Sequence, residues 1–282
     1  MSQPYHLVAY CSPSGSTKDI AKTIVHQLKS RDATANRLDL TDAGWREQAV
    51  QLWEKYGPPA CIWLGSPVYA QHIVPPAAAF LDWLPDNPDS IPAVPFVTWG
   101  AVSSGVALYE TGRRFRSKGY ILAGAAKVVA EHSSMWRSEE PLGAARPAEA
   151  DRSSIRELVQ GVIQKLHQDP VRPISLSALD YQPSWLYREA EAIDIQKVKE
   201  RHPGFQLHEE RCVQCGTCRD VCPAGAIELS SYPEIGEDCF LCHSCVRYCP
   251  EGAMQVDTSA LEEHIRHMAE RFPEKAETRI FV

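Results

Sequence analysis

The 282-residue sequence has no hydrophobic run long enough to cross a bilayer; its longest apolar-leaning stretch, residues 120–130, is short and carries Lys127. It opens without a basic segment leading into a long apolar one, so no secretory signal is expected and the setting is read as cytoplasmic. Positive charge is not in excess either. Lys and Arg number 29 against 36 Asp and Glu, for a net charge of −7, which argues against a nucleic-acid partner. Two phosphate-binding fingerprints are absent: the loop after the first apolar segment fits neither G-x-G-x-x-G nor G-x-x-x-x-G-K-[ST]. What remains is ordinary globular composition, 44% hydrophobic and 23% charged, at a length that suits about two domains.

Cysteine is abundant and unevenly placed. Of ten cysteines, eight form two runs, Cys212, Cys215, Cys218, Cys222 and Cys239, Cys242, Cys245, Cys249, the second repeating the first 27 residues on. Metal-ligand spacing of this density points to a reducing compartment and not to disulfides. The repeat extends past each fourth cysteine, Pro223-Ala224-Gly225-Ala226-Ile227 against Pro250-Glu251-Gly252-Ala253-Met254, and implies two half-domains related by a pseudo-twofold axis. Three thiolates spaced C-x2-C-x2-C wrap one loop around three corners of a cuboidal cluster, and the fourth iron needs a ligand from elsewhere. In the two-cluster bacterial run the cysteine before proline ligates the other cluster. That assigns Cys212, Cys215, Cys218 and Cys249 to one cluster and Cys239, Cys242, Cys245 and Cys222 to the other. Structural zinc usually takes two separated cysteine pairs, which this doubled triple run explains poorly. Residues 206–257 resemble the bacterial two-cluster ferredoxins at every ligand position, and the resemblance implies two 4Fe–4S clusters close enough for rapid exchange. Ile227 and Met254 are expected either to exclude water near the clusters or to be plain core.

Charge follows the same division. Residues 206–257 hold nine Asp/Glu and three Arg, whereas residues 1–150 hold fourteen of each sign. An acidic cluster-bearing segment suits a redox protein or enzyme with a basic docking patch.

The first 130 residues alternate strand-like segments (6–10, 35–40, 60–64, 94–99, 121–129) with helix-like ones (17–30, 45–56, 75–84, 106–118), and residues 154–167 add a fifth helix. The pattern predicts an α/β, doubly wound, five-stranded parallel sheet covered on both faces, followed by a small α+β ferredoxin-type domain. The expected divisions are 1–168 for the sheet domain, 169–205 for a proline-punctuated linker, 206–257 for the cluster domain and 258–282 for a C-terminal helix and tail. Residues 131–150 read as a long loop at the sheet's carboxyl end, and such loops are often functional.

Three loops leave strands at that end, where open parallel sheets bind ligands. The first, Cys11-Ser12-Pro13-Ser14-Gly15-Ser16-Thr17, puts hydroxyls and backbone N–H groups at a helix N-terminus, an arrangement suited to a phosphate or simply to capping. The second runs Gly65-Ser66-Pro67-Val68-Tyr69-Ala70 and the third from Thr98-Trp99-Gly100 through Ser103-Ser104-Gly105; each pairs glycine with an aromatic residue, which suits a flat ring. These stretches resemble the flavodoxins, and with the cysteine segment the chain resembles the EFR family, in which a flavodoxin-like domain is fused to a two-cluster ferredoxin. The first loop departs from the family's usual Gly- and Asn-rich form. The resemblance implies FMN, with its phosphate on Ser12, Ser14, Gly15, Ser16 and Thr17, and further cofactor contacts from Pro67, Val68, Tyr69, Ala70, Thr98, Trp99, Gly100, Ser104 and Gly105. Tyr69 and Trp99 stand equally as ring contacts or core aromatics. His72 and His132 are further candidate donors to the flavin, or solvated loop histidines. Cys11, next to a helix N-terminus, is expected to have a lowered pKa, and Cys61, inside a strand, to be buried and inert. The basic run Arg113, Arg114, Arg116 and Lys118 reads as a solvated helix face or a patch for the acidic segment.

The expected function is an electron relay between FMN and the clusters, exchanging with a low-potential redox partner. The alternatives are a flavin-dependent reductase whose pocket uses His132, Trp136 and Arg137, and a redox-sensing module. A homodimer is compatible with all three.

Overall fold

Strand and helix alternate through the N-terminal half because short β-branched apolar runs are separated by amphipathic stretches with caps. The structure, a computed structural model, describes residues 5–86, 91–193, 195–272 and 274–282. In chain order it comprises β1 (Tyr5–Tyr10), α1 (Ser16–Lys29), β2 (Thr34–Asp39), α2 (Trp45–Tyr56), β3 (Cys61–Tyr69), β4 (His72–Ile73), α3 (Pro75–Trp83), β5 (Pro92–Trp99), α4 (Ala107–Ser117), β6 (Ile121–Leu122), β7 (Ala125–Val129) and α5 (Glu149–Leu166). It continues with α6 (Ser184–Ala192), α7 (Ile195–Arg201), β8 (Phe205–Leu207), α8 (Thr217–Asp220), β9 (Ile227–Leu229), β10 (Pro233–Ile235), α9 (Ser244–Arg247), β11 (Met254–Val256), α10 (Thr258–Arg271) and β12 (Arg279–Phe281).

The main sheet runs β12-β7-β5-β3-β1-β2. Its five long parallel strands, counted along the chain, stand in the order 2-1-3-4-5 of the flavodoxin-like doubly wound fold. Every residue of β1 is buried, as a central parallel strand with helices on both faces requires. One face packs Leu7, Ile62, Leu64, Phe80 and Phe115; the other packs Val8, Ile20, Ile24, Trp63, Leu158 and Val162.

Three features depart from the expected pattern. The third strand does not end at residue 64 but continues through Tyr69, because β4 turns back on it and pairs Val68 with Ile73 and Tyr69 with His72. The turn residues Ala70 and Gln71 both take positive φ, 48° and 72°, the two-residue geometry that suits a right-twisted hairpin. The segment expected as one strand at 121–129 is broken into β6 and β7, and Pro95 of β5, which has no N–H to give, falls opposite the break. Lastly the tail returns to the sheet: β12 pairs antiparallel with β7 and gives it a sixth, antiparallel edge.

The segment after α5 is also held. Ile174 donates its N–H to Leu122 O, and Leu176 and Leu179 lie against Gly112 of α4. The tail is anchored by a buried charge. Glu274 Oε1 accepts from Lys127 Nζ at 2.5 Å and from Ser104 Oγ at 2.6 Å, while its Oε2 accepts from Ser104 N at 2.7 Å and from Gln182 Nε2 at 2.9 Å. Lys127 is 4% exposed and sits over the rings of Trp99 and Tyr181. Removing one partner of such a pair leaves the other charge buried without compensation. Glu274→Ala is expected to cost about 3 kcal/mol of stability, seen as a lowered urea midpoint, with Lys127→Met the milder substitution because it removes the charge itself.

Candidate functional site

The cysteine repeat folds as two copies of one local structure. Each run has a residue with positive φ two places after its first cysteine (Gln214 54°, Leu241 60°) and another just after its second (Gly216 78°, His243 61°). Each then enters a one-turn helix, α8 or α9, and each fourth cysteine is followed by a glycine at positive φ (Gly225 62°, Gly252 59°). Backbone amides point at the same sulfurs in both halves: Ala226 N donates to Cys222 Sγ at 3.3 Å and Ala253 N to Cys249 Sγ at 3.2 Å. Hydroxyls repeat as well, with Thr217 Oγ1 3.2 Å from Cys215 Sγ and Ser244 Oγ 3.4 Å from Cys242 Sγ. Such contacts stabilise thiolate and tune a bound cluster.

Cys212, Cys215, Cys218 and Cys249 line one cavity together with Leu207, Val213, Leu229 and Met254. Three ligands of the first run and the Cys-Pro cysteine of the second are thus brought around one space. Among the described residues, no three Cys, His, Asp or Glu side chains converge closely enough for a single ion. Ile227 and Met254, 4% and 3% exposed, pack with Cys218, Cys222, Cys245 and Cys249 in the small core between the two runs. Burial pushes the free thiols of Cys242 and Cys245 up to about 11 and about 12; bound iron supplies the positive charge that offsets this.

The two runs differ in what surrounds them. In the first, Arg211, Val213, Gln214, Cys215, Arg219 and Asp220 are exposed, Val213 at 62%. In the second, every residue from Phe240 to Val246 is buried. Phe240 and Cys242 belong to the core on one face of the main sheet, with Cys11 and, partly buried, Tyr69. The rings of Phe240 and Tyr69 meet edge to face at 5.9 Å. The second cysteine loop therefore sits on the carboxyl end of the sheet, where β1 and β3 diverge.

The first loop of that end is built for an anion. Gly15, in the left-handed region at φ 97°, precedes α1 and gives no side-chain cap. Ser12 Oγ accepts from Lys18 N at 2.9 Å, and among the described residues the amides of Ser16 and Thr17 have no acceptor. Thr17 is pinned to β5 by its hydroxyl, 2.8 Å from Thr98 Oγ1. Gly65 allows the helix this close, since a Cβ there would lie 2.9 Å from Thr17 Cγ2 and 2.2 Å from Phe96 Cζ.

Above this loop, Tyr69 and His132 are surrounded by protein yet keep accessible surface, as side chains lining an internal cleft do. Burial, with Cys242 close by, pushes the Tyr69 phenol up; its oxygen accepts from Ser133 Oγ at 3.0 Å. Burial and then Arg247 bring His132 down to about 4, so its ring is neutral. His132 Nδ1 accepts from Ser134 N at 3.3 Å, which places the ring proton on Nε2. Its ring covers Gly100, where a Cβ would come within 2.6 Å of His132 Cδ2. A cleft between three strand-end loops, with an anion cradle at one side and an aromatic and a donor at the other, fits a flavin.

Two family models describe the cysteine segment. Both are described as 4Fe-4S binding domains, and they match residues 205–228 and 236–252. The chain joins a flavodoxin-like domain to a 4Fe–4S ferredoxin-type segment. No curated protein matches the chain. Among solved structures, a flavodoxin from the domain Archaea is 19% identical at a TM-score of 0.45 and covers 58% of this chain and 99% of its own. Flavodoxin 2 from Bacillus cereus is 17% identical at 0.44, with 57% and 99% covered. The rubredoxin oxygen:oxidoreductase from Desulfovibrio gigas is 16% identical at 0.46, with 58% of this chain but only 37% of that one covered. The assignment of the flavodoxin-like domain rests on strand order and register.

The ferredoxin-type segment accounts for where several candidate residues go. Thr17, Thr98, Gly65, Tyr69, Gly100 and His132 gather at the cleft. Pro67 is buried in β3; Val68 and Ala70 flank the hairpin turn. Trp99, 1% exposed, has its Nε1 buried without a partner and lies under Lys127. Ser104 is committed to Glu274 and Tyr181, and Gly105 packs on Gln71, where a Cβ would meet Gln71 O at 2.2 Å. His72 is bound by Glu110 at 3.1 Å and Ala190 O at 2.9 Å, away from the cleft. The expected lowering of Cys11 is reversed: burial, then Cys242 and Asp39, pushes its thiol up well above the ordinary value, because the side chain turns into the core and not toward the helix end. Cys61 is buried as expected and pushed up by burial alone. Arg114 and Lys118 bind the end of α3, at Asp82 and Leu84 O, and do not face the acidic segment. Phe240, Arg247 and Trp136 were not singled out as contacts between the two units. A position-by-position comparison of the repeats carries that signal, since Phe240, Leu241, His243, Val246 and Arg247 replace Val213, Gln214, Gly216, Arg219 and Asp220.

The crossed ligand sets have separable consequences. Cys249→Ala is expected to abolish the signal of the exposed cluster and Cys222→Ala that of the buried one, each lowering iron from about eight toward about four per chain. Electron paramagnetic resonance of the reduced variants identifies the survivor by its accessibility to a soluble relaxing agent.

Proposed function

We propose that the protein relays electrons along one chain, from an external one-electron carrier through two 4Fe–4S clusters to FMN. The observation that carries this reading is the burial of the second cysteine loop against the flavodoxin-like domain while the first stays at the surface. Cys212, Cys215, Cys218 and Cys249 would hold the outer cluster, and Cys239, Cys242, Cys245 and Cys222 the inner one. Ser12 to Thr17 would bind the flavin phosphate, with Tyr69 and His132 at the ring. FMN, when bound, supplies a store of two electrons that one-electron clusters lack. The chain's own contribution is placement: Phe240 and Tyr69 close the gap between inner cluster and cleft and keep water out of it.

The outer face suits a basic partner. Val213 and Tyr248, 62% and 51% exposed, flank outer-cluster ligands, with Glu209, Glu210, Asp220 and Glu251 nearby in sequence. Apolar contact within an acidic surround supports charge-steered docking of a low-potential redox protein, with on-rates that fall as salt rises. The loop at residues 131–150 braces the inner loop here: Trp136 stacks near His243 at 5.3 Å, and α10 holds the loop through Ser138 and Glu262 at 2.9 Å.

Protein isolated without oxygen is expected to be brown and to contain about eight irons, matching sulfide and one FMN per chain. A colourless protein containing zinc and no flavin would end this reading.

A further inference from the structure

Arg247 stands out among the described residues as a half-buried cation with no counter-ion. No carboxylate lies within ion-pairing distance of its guanidinium, and its Nε is buried with no hydrogen-bond partner. It does not float free: the guanidinium stacks over Trp136 at 4.7 Å, and Trp136 in turn lies 5.3 Å from His243. Three other groups feel its charge, namely Tyr69, His132 and His243, each held lower in proton affinity by it than burial alone would leave it. Two of these, Tyr69 and His132, line the cleft at the sheet edge. All three are neutral near pH 7, so none of them compensates the guanidinium.

An arginine is expensive to bury without a partner, and the surrounding structure spends a cation–π contact on holding this one in place. The internal repeat sharpens the point. At the equivalent position of the exposed run the residue is Asp220, which pairs with Arg219 at the surface. Ligand geometry therefore needs no cation at this position; the reversal of charge belongs to the buried copy, the one that faces the cleft.

We propose that Arg247, carried by the ferredoxin-type segment, is the positive charge that stabilises the anionic reduced flavin in the cleft of the flavodoxin-like domain. The inference rests on the functional reading above. Two electrons, delivered singly through the inner cluster from the external carrier, and one proton taken from water convert oxidised flavin to its singly charged reduced anion. The clusters end the cycle in the oxidation state in which they began it. The cleft then gains one negative charge, and Arg247 is the group placed to meet it. His132 Nε2, which donates and carries no charge, orients the ring without taking over that role. Reduction of the flavin is thereby coupled to the docking of the two units, since the charge arrives with the inner cluster loop.

The test uses the intact protein with clusters and flavin, prepared without oxygen as wild type, Arg247→Gln and Arg247→Lys, and titrated spectroelectrochemically. The glutamine variant is expected to bind oxidised flavin as the wild type does, while the ratio of reduced to oxidised affinity drops roughly tenfold, the scale of one lost charge-assisted contact. Its flavin potential therefore moves down, and the lysine variant recovers most of the shift. Iron content stays unchanged in both. An unmoved flavin potential in the glutamine variant overturns the proposal. So does a shift confined to the inner cluster, which would make Arg247 a counter-ion of the cluster instead. Wild-type protein that contains iron but no flavin defeats the functional reading, and that failure is visible in the flavin content before any variant is compared.

Discussion

The arrangement depends on one contact, the seating of the second cysteine loop on the carboxyl edge of the parallel sheet. Phe240 is 2% exposed and meets Tyr69 edge to face, and Cys242 lies in the same core as Cys11. Burying one phenylalanine contributes about 2 kcal/mol and the aromatic pair about 1 kcal/mol more. Those are modest amounts against the freedom of a chain segment of this length. The linker and the tail make up the difference by restricting that freedom. Ile174, Leu176 and Leu179 tie the linker to α4 and β6, and Glu274 and β12 tie the tail to β7. The cysteine segment is thus fastened to the sheet domain at both of its ends as well as through its face.

Within that segment the backbone obeys one rule and the surface another. Positive φ angles, one-turn helices and amide-to-sulfur hydrogen bonds repeat at 27-residue spacing because two cuboidal clusters ask for the same enclosure twice. Side chains that do not enclose metal are free to diverge, and they do so by environment. The exposed copy carries Gln214, Arg219 and Asp220; the docked copy carries Leu241, Val246 and Arg247. One cluster faces solvent and the other faces the cleft. An outward cluster can meet a carrier, and an inward one can reach a cofactor that water should not.

Local chemistry made part of this legible in the sequence. Ligand spacing in C-x2-C-x2-C and the Cys-Pro that follows is a constraint within a dozen residues, so the cysteine runs could be read directly. The alternation of Val8, Ile62 and Val94 segments with amphipathic helices is likewise local, and the parallel sheet with its strand-end loops followed from it. The continuation of β3 to Tyr69 was hidden because Gly65, Ser66 and Pro67 carry loop chemistry, while their strand conformation comes from pairing with β5 and β4. β12, three residues long, has no periodicity to announce it and exists because β7 offers an open edge. The roles of Ser104 and Trp99 depended on Glu274, 170 residues from Ser104 in sequence, which no local pattern could supply. The docking of Phe240 is of the same long-range kind, though the mismatch between the two repeats pointed toward it.

If the inner loop faces the cleft within one chain, electron arrival at the flavin is an internal event. Flash photoreduction of the cofactor-loaded protein, with the outer cluster reduced first by a soluble donor, follows cluster reoxidation and flavin reduction on the same trace. The account predicts a first-order transfer whose rate is the same over a hundredfold range of protein concentration. A rate that rises in proportion to concentration would show that electrons pass between chains, and the placement of the inner cluster against its own sheet would not be the route.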